Sequence, residues 1–235
     1  MHNVSIRQHI VDRVVARRGD IHWFTELDPR KSALLIIDMQ NTFCLPGAPG
    51  EVPTARDIVP AINDIAAKLR PLGVPVFWVL HTNTQNDGFS DWEVFFNHVV
   101  RNADIRQRMV ESLAPESQKV WEELVVEPND TVIVKNRYSA FANGASTLER
   151  VLRNRGIDTV LVGGTKTNVC CDSTARDAMM LDFKSVMVSD CCATLSDDEH
   201  LAALETFIQQ FGDVMTSAEV MERMIRRNDG TMAAE

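Results

Sequence analysis

Six short apolar runs, each followed by a segment with helical spacing, fix what this chain can fold into. Residues 32–37, 75–80, 131–134, 159–162, 185–188 and 214–215 are rich in Val, Ile and Leu and too short for helices. Between and after them, residues 58–69, 148–155, 197–210 and 218–225 repeat apolar residues at helical intervals. Runs that are apolar throughout belong to strands buried on both faces. Strand–helix alternation at intervals of roughly 20–40 residues joins neighbouring strands in parallel. The expected class is therefore α/β, a doubly wound three-layer fold on a parallel sheet.

Within that frame, residues 158–178 carry the chemistry. An apolar strand from Thr159 to Val162 is followed by Gly163 and Gly164, which are read as breaking it. From Thr167 the spacing turns helical, with Val169, Ser173, Ala175, Ala178 and Met179 able to share one side and Thr167 or Asn168 expected as N-cap. Cys170 then falls in the first turn, where free N–H groups and the helix dipole favour a thiolate. A buried, inert cysteine is the ordinary alternative. Two further strands end in pointed residues: Asp38 closes the first and Lys135 the third. Carboxyl ends of parallel strands share one edge, where ligands bind, so the three can converge. A carboxylate can take the thiol proton, and an ammonium can stabilise the resulting anion.

The remaining segments set the surroundings. Residues 1–30 read as an N-terminal arm with a short amphipathic helix on Ile10, Val11, Val14 and Val15, suited to packing on a neighbouring subunit. Residues 31–228 form the one main domain and 229–235 a flexible tail. Residues 83–127 are rich in aromatics, with helices expected around 91–110 and 116–125, and suit a pocket wall or lid. A net charge of -9 without a dense basic stripe argues against nucleic acid. No apolar run approaches the roughly 18 residues of a membrane span, and the N-terminal residues lack a signal-like apolar core, so a cytoplasmic location is expected. Five cysteines, an odd number with two adjacent pairs and no CxxC, fit reduced thiols. The missing CxxC weighs against a thiol-redox protein, and the missing G-x-G-x-x-G against a nucleotide-binding module.

Three motifs, Ile36-Ile37-Asp38-Met39-Gln40-Asn41, Lys135-Asn136-Arg137-Tyr138-Ser139-Ala140-Phe141 and Gly164-Thr165-Lys166-Thr167-Asn168-Val169-Cys170, resemble the signatures of the isochorismatase-like cysteine hydrolases. They occur in family order and spacing, and the resemblance covers roughly residues 31–225. It implies a six-stranded parallel sheet, a catalytic triad of Asp38, Lys135 and Cys170, and a cis peptide between Thr165 and Lys166. It also implies an oxyanion hole from the backbone N–H groups of Lys166 and Cys170. A lysine at 166 departs from the small residue common there.

Absences narrow what the resemblance implies about substrate. Isochorismatases proper lack the cysteine, which argues against vinyl-ether hydrolysis. Nicotinamidases of the family carry an Asp-x-His…His metal set, whereas residues 39–80 contain no histidine. Amidases of small ureido and amide compounds remain, of the ureidoacrylate, N-carbamoylsarcosine, biuret and triuret types, with a nicotinamidase-like carboxamide hydrolase as the alternative. Residues 137–141 are most similar to the ureidoacrylate type. Gln210 corresponds to a ureido-binding glutamine of the biuret type, Phe43 and Phe141 to apolar walls, and Gln40 and Tyr138 to further substrate contacts. The resemblance implies no cofactor and no resident metal, a small-molecule substrate, and a homo-oligomer of two or four copies.

Overall fold

The computed structural model describes residues 2–224, so the tail at 229–235 lies outside the described residues. Six parallel strands build the main sheet: β1 (Ser32–Ile37), β2 (Val76–His81), β5 (Thr131–Lys135), β6 (Thr159–Thr165), β7 (Lys184–Ala193) and β8 (Asp213–Met215). A small antiparallel pair, β3 (Gln85–Asn86) and β4 (Phe89–Ser90), stands apart. The order across the main sheet is β5-β2-β1-β6-β7-β8, with every neighbouring pair parallel.

Alternation along each strand divides the core into two layers. Ala33, Leu35 and Ile37 of β1 face one side together with Phe77, Val79, Val160 and Val162. That side is covered by α5 (Leu148–Asn154), α6 (Asp172–Met180) and α7 (Asp197–Gln210), which contribute Leu152, Ala178 and Phe207. Leu34, Ile36 and Trp78 face the other side, covered by α3 (Val59–Leu69) and α8 (Ser217–Arg223). In α3 the buried residues Val59, Ile62, Ile65, Ala66 and Leu69 follow the helical period and form a single stripe. Local chemistry sets the helix ends. Ser196 caps α7 by accepting from Glu199 N, with Asp197, Asp198 and Glu199 in the first turn to complement the dipole. Thr216 and Glu219 form a reciprocal capping box on α8.

The structure departs from expectation at several points. β6 continues through both glycines to Thr165, because these are the places where its backbone runs close to its neighbours. Gly164 has φ +114, and a β-carbon there would lie 2.1 Å from the Ile37 carbonyl oxygen. β7 is longer than its apolar run and bulges opposite this point: Val162 pairs with Met187, but Gly164 pairs with Cys192. Of the helices expected between 91 and 125, a π turn at Phe95–Val99, α4 (Ala103–Leu113) and a single 3₁₀ turn at Pro115–Ser117 form. Residues 118–125 instead bond to remote partners, with Trp121 N donating to the Met39 backbone oxygen at 2.9 Å and Val125 N to the Asn63 side-chain oxygen at 2.9 Å. The arm packs on this same chain. Its helix α1 (Gln8–Arg18) buries Ile10 and Val14 and lies on α7, where Arg7 Nε donates to Glu205 at 2.8 Å and Arg13 to Gln209 at 2.8 Å.

Candidate active site

Four adjacent strands in the order β5-β2-β1-β6 deliver Lys135, His81, Asp38 and the turn that carries Cys170 to the carboxyl edge. Asp38 directly follows β1 with φ +55, a left-handed conformation that Asp tolerates better than most residues and that turns the chain at the strand end. Its N–H donates to Val79 O at 2.8 Å, which ties the turn to β2. Lys135 is 0 % exposed and Asp38 1 %. Lys135 Nζ donates to Asp38 Oδ2 at 2.9 Å and to Arg137 O at 3.1 Å, and stands 3.4 Å from His81 Nδ1. The other carboxylate oxygen, Asp38 Oδ1, has no hydrogen-bond partner although it is buried. Cys170 is 5 % exposed, and its sulfur, a carboxylate oxygen of Asp38 and a His81 ring nitrogen all lie within 4.8 Å of one another. A donor set of this kind can share a cation, and the cation standing among them is the Lys135 ammonium.

Burial governs the electrostatics. It raises the Asp38 carboxyl from its ordinary value, and Lys135 draws it only part of the way back. Burial alone would lower Lys135, but Asp38 and Cys170 beside it raise it overall, so the ammonium stays charged. The Cys170 thiol is raised by burial and then by the neighbouring carboxylate, with Lys135 and Lys166 opposing. Cys170 is therefore a thiol at rest, facing a raised carboxylate. His81 falls well below its ordinary value, through burial first and then Lys135, and is neutral.

The turn that carries Cys170 differs in detail from expectation. Thr167–Cys171 is a π turn, with Lys166 at the N-cap in extended conformation, and α6 proper begins at Asp172. Lys166, rather than Thr167 or Asn168, holds the N-cap position without a side-chain cap, and those two side chains are engaged elsewhere. Thr167 Oγ1 pairs with His200 Nδ1 at 2.8 Å, and Asn168 Oδ1 accepts from Thr194 Oγ1 at 2.7 Å. The Thr165–Lys166 peptide is cis, as the motif implies. Thr165 Oγ1, at the end of β6, is buried without a partner.

The expected substrate contacts are largely placed elsewhere. Gln210 is exposed at the last turn of α7, where it accepts from Arg17 at 3.4 Å. A helix that follows a parallel strand runs back to the amino edge, so its end points away from the site. The Gln40 amide is consumed by β2: Oε1 accepts from His81 N at 2.6 Å and Nε2 donates to His81 O at 3.0 Å. Phe141 packs into the core against Phe183, with ring centroids 5.4 Å apart, rather than lining a pocket. Phe43 is half-buried, and a β-carbon on Gly50 would come within 3.1 Å of its ring. Tyr138 stays with the site, edge-on to Trp92 at 4.7 Å, its hydroxyl raised by burial and then by Cys170.

Residues 83–127 supply the rest of the wall. Trp92 stacks on His81 at 5.7 Å and on Phe95 at 5.0 Å, and the Arg137 guanidinium lies over Trp92 at 5.2 Å. Trp92 lies in the segment expected as a pocket wall and Arg137 in one of the three motifs; His81 and Asn83 carry no expected role, although His81 ends a buried strand just as Lys135 does. A cleft of about 620 Å³ between Asn63, Arg70 and Asp130 lies at the amino ends of β2 and β5 and contains none of these groups.

Comparison with known proteins agrees with this geometry. Residues 32–219 match the isochorismatase domain. Enterobactin synthase component B of Escherichia coli K12 is 32 % identical over 205 residues, which span 87 % of this chain and 66 % of that longer protein. A cysteine hydrolase from Pseudomonas syringae pv. phaseolicola superposes with a TM-score of 0.72 at 31 % identity, covering 84 % of this chain and 93 % of the other. N-carbamoylsarcosine amidase from Thermoplasma acidophilum superposes with a TM-score of 0.63 at 25 % identity, covering 80 % and 96 %. With the domain match spanning most of the sheet and its helices, the chain belongs to the isochorismatase-like hydrolase family.

Proposed function

We propose that this hydrolase is a cysteine amidohydrolase that cleaves a C–N bond in a small ureido or carboxamide compound through a covalent acyl-enzyme. One observation carries the reading: a buried carboxylate with one oxygen fixed by Lys135, the other without a hydrogen-bond partner, and the Cys170 sulfur within 4.8 Å of the group. Asp38 is thereby held as a proton acceptor. Its raised affinity for protons suits both removal and return of a proton.

In the first half-reaction the Cys170 proton passes to Asp38 as sulfur bonds to the substrate carbonyl carbon. The oxyanion that forms is met by the backbone N–H groups of Lys166 and Cys170, and Lys135 balances the negative charge nearby. Collapse breaks the C–N bond, and the nitrogen leaves as ammonia or an amine with the proton from Asp38. Water then adds to the thioester and gives a proton to Asp38. The C–S bond breaks, the acid departs, and the proton returns to sulfur. Trp92 and Tyr138 form the aromatic wall beside this chemistry.

Similarity to the Thermoplasma N-carbamoylsarcosine amidase supports a ureido or amide substrate. The test is ammonia release from a panel of N-carbamoyl amino acids, ureidoacrylate, biuret, triuret and plain carboxamides, with Cys170→Ser as control. Turnover of ureido compounds that the control abolishes is expected. Release from pyridine carboxamides alone would favour the nicotinamidase-like alternative, and no release from any member would overturn the reading.

A further inference from the structure

We propose that His81 is a positioning residue of this site: as a neutral imidazole it accepts the third proton of the Lys135 ammonium at Nδ1 and holds that cation between Asp38 and Cys170. An ammonium has three donors and needs three acceptors when buried. For Lys135 these are Asp38 Oδ2 at 2.9 Å, Arg137 O at 3.1 Å and His81 Nδ1 at 3.4 Å. With Lys135 0 % exposed, no solvent stands in for a missing one.

The tautomer follows from the partners on the far side of the ring. Asn83 Nδ2 donates to Asp91 Oδ1 at 2.8 Å, which turns Asn83 Oδ1 toward His81 Nε2 at 3.0 Å. A carbonyl oxygen only accepts, so Nε2 carries the hydrogen and Nδ1 presents its lone pair to Lys135. Asp91 is itself anchored by Asn136 Nδ2 at 3.1 Å, and its backbone oxygen accepts from Arg137 at 2.9 Å. Trp92 stacks on the ring face at 5.7 Å, and the Gln40 amide clamps both backbone groups of His81. The ring is thus fixed in position, orientation and tautomer by groups that do no chemistry themselves. The charged and titratable groups around it are Lys135 at the end of β5, Arg137 beyond it, Asp38 after β1, Cys170 on its turn, and Asp91 behind Asn83. The two cations and the burial keep a second positive charge off the ring.

Removing Nδ1 would leave one ammonium proton unpaired in a dry site, so Lys135 would shift or lose its charge and Cys170 would lose its stabilising cation. The inference rests on the proposed role of Cys170 as nucleophile but needs no knowledge of the substrate. Its test is the rate of Cys170 alkylation by iodoacetamide, read by peptide mass from pH 6 to 9, in the wild type, His81→Leu and His81→Asn. Leu fills similar space without an acceptor, whereas Asn places an oxygen near the Nδ1 position. Alkylation of the Leu variant is expected to slow by about tenfold, one pKa unit of thiolate stabilisation. The Asn variant should recover to within about threefold of wild type, because an acceptor is restored. Identical profiles for wild type and Leu, or an Asn variant as slow as Leu, would overturn the inference. An independent reading on the unmutated protein is nitrogen NMR of labelled histidine. It should show His81 protonated at Nε2 alone at pH 7.5, and a hydrogen on Nδ1 or a charged ring would equally overturn it. A substrate panel without turnover, combined with the expected alkylation pattern, would sink the amidase reading and leave this one standing.

Discussion

Gly164 and Ile37 meet so closely that a β-carbon on the glycine would stand 2.1 Å from the carbonyl oxygen of the isoleucine. This approach joins the ends of β6 and β1, one residue before Asp38 and six before Cys170. Gly164→Ala is expected to destabilise the protein by about 3 kcal/mol or more, combining a backbone clash with a left-handed φ. Gly47→Ala is the matched control, since its φ is +77 but nothing lies within 4 Å, and it should cost only about 1 kcal/mol. Urea unfolding of both variants separates clash from conformation. Equal losses would remove the close approach as the reason for glycine at 164.

The two adjacent thiols are expected to behave oppositely. Cys170 retains 5 % exposure beside Asp38, whereas Cys171 is fully enclosed. Cys170→Ala should abolish turnover and leave the melting temperature near wild type. Cys171→Ala should keep most turnover and lose some stability, as a buried truncation does. Inactivity of the second variant alone would reassign the nucleophile.

Asp38 and Lys135 form a buried ion pair, and such pairs cost most when broken from one side. Lys135→Met should destabilise by about 3–5 kcal/mol, because it leaves a carboxylate unpaired in the core. Asp38→Asn should lower kcat by about 10²–10⁴-fold, the usual worth of general acid–base catalysis. The double variant should regain stability relative to Lys135→Met alone while remaining inactive. Additive destabilisation in the double variant would show that the two side chains do not depend on each other.

Acid should weaken the fold through His200. Burial is the first cause lowering it from 6.5 to about 4, and His2 stacked at 4.3 Å adds to this. The unfolded chain therefore takes up a proton that the folded chain refuses. Stability from this group is complete above about pH 6.5 and is lost as pH falls toward 4. The loss at pH 4 should be on the order of 1–3 kcal/mol. His200→Gln should flatten the slope of unfolding free energy against pH in that window, and an unchanged slope would remove His200 as its source.

Gln210→Leu should leave kcat/KM within about twofold of wild type for ureido and amide substrates alike, as exposed substitutions far from a site do. A selective loss on ureido compounds would contradict the placement of Gln210 at the amino edge.

Much of this was legible in the chain because strong patterns are local. The run Ser32–Ile37 forms β1 with the expected ends, and Asp38, Lys135 and Cys170 meet because each follows a buried strand or its turn. The same criterion applied to His81, whose task depends on Asn83 and Asp91 and is invisible until those partners are placed. Gln40 was legible as a strand-end amide, but its partner is the β2 backbone 41 positions away. Residues 118–125 defied the helical reading because Trp121 and Val125 bond to the Met39 backbone and the Asn63 side chain, and no local period records a bond to a remote partner.

The strand order also divides labour within the sheet. Lys135, His81, Asp38 and the Cys170 turn all come from β5, β2, β1 and β6, while β7 and β8 supply none of these four. Those two outer strands hold other ties: Asp213 accepts from Trp23 N at 2.7 Å, and Asp190 accepts from Ser217 N at 2.8 Å. A change at Asp213 on β8 would therefore retune how firmly the arm is fastened, whereas a change on β7 would also reach the Cys170 turn, through the Thr194–Asn168 bond that follows that strand.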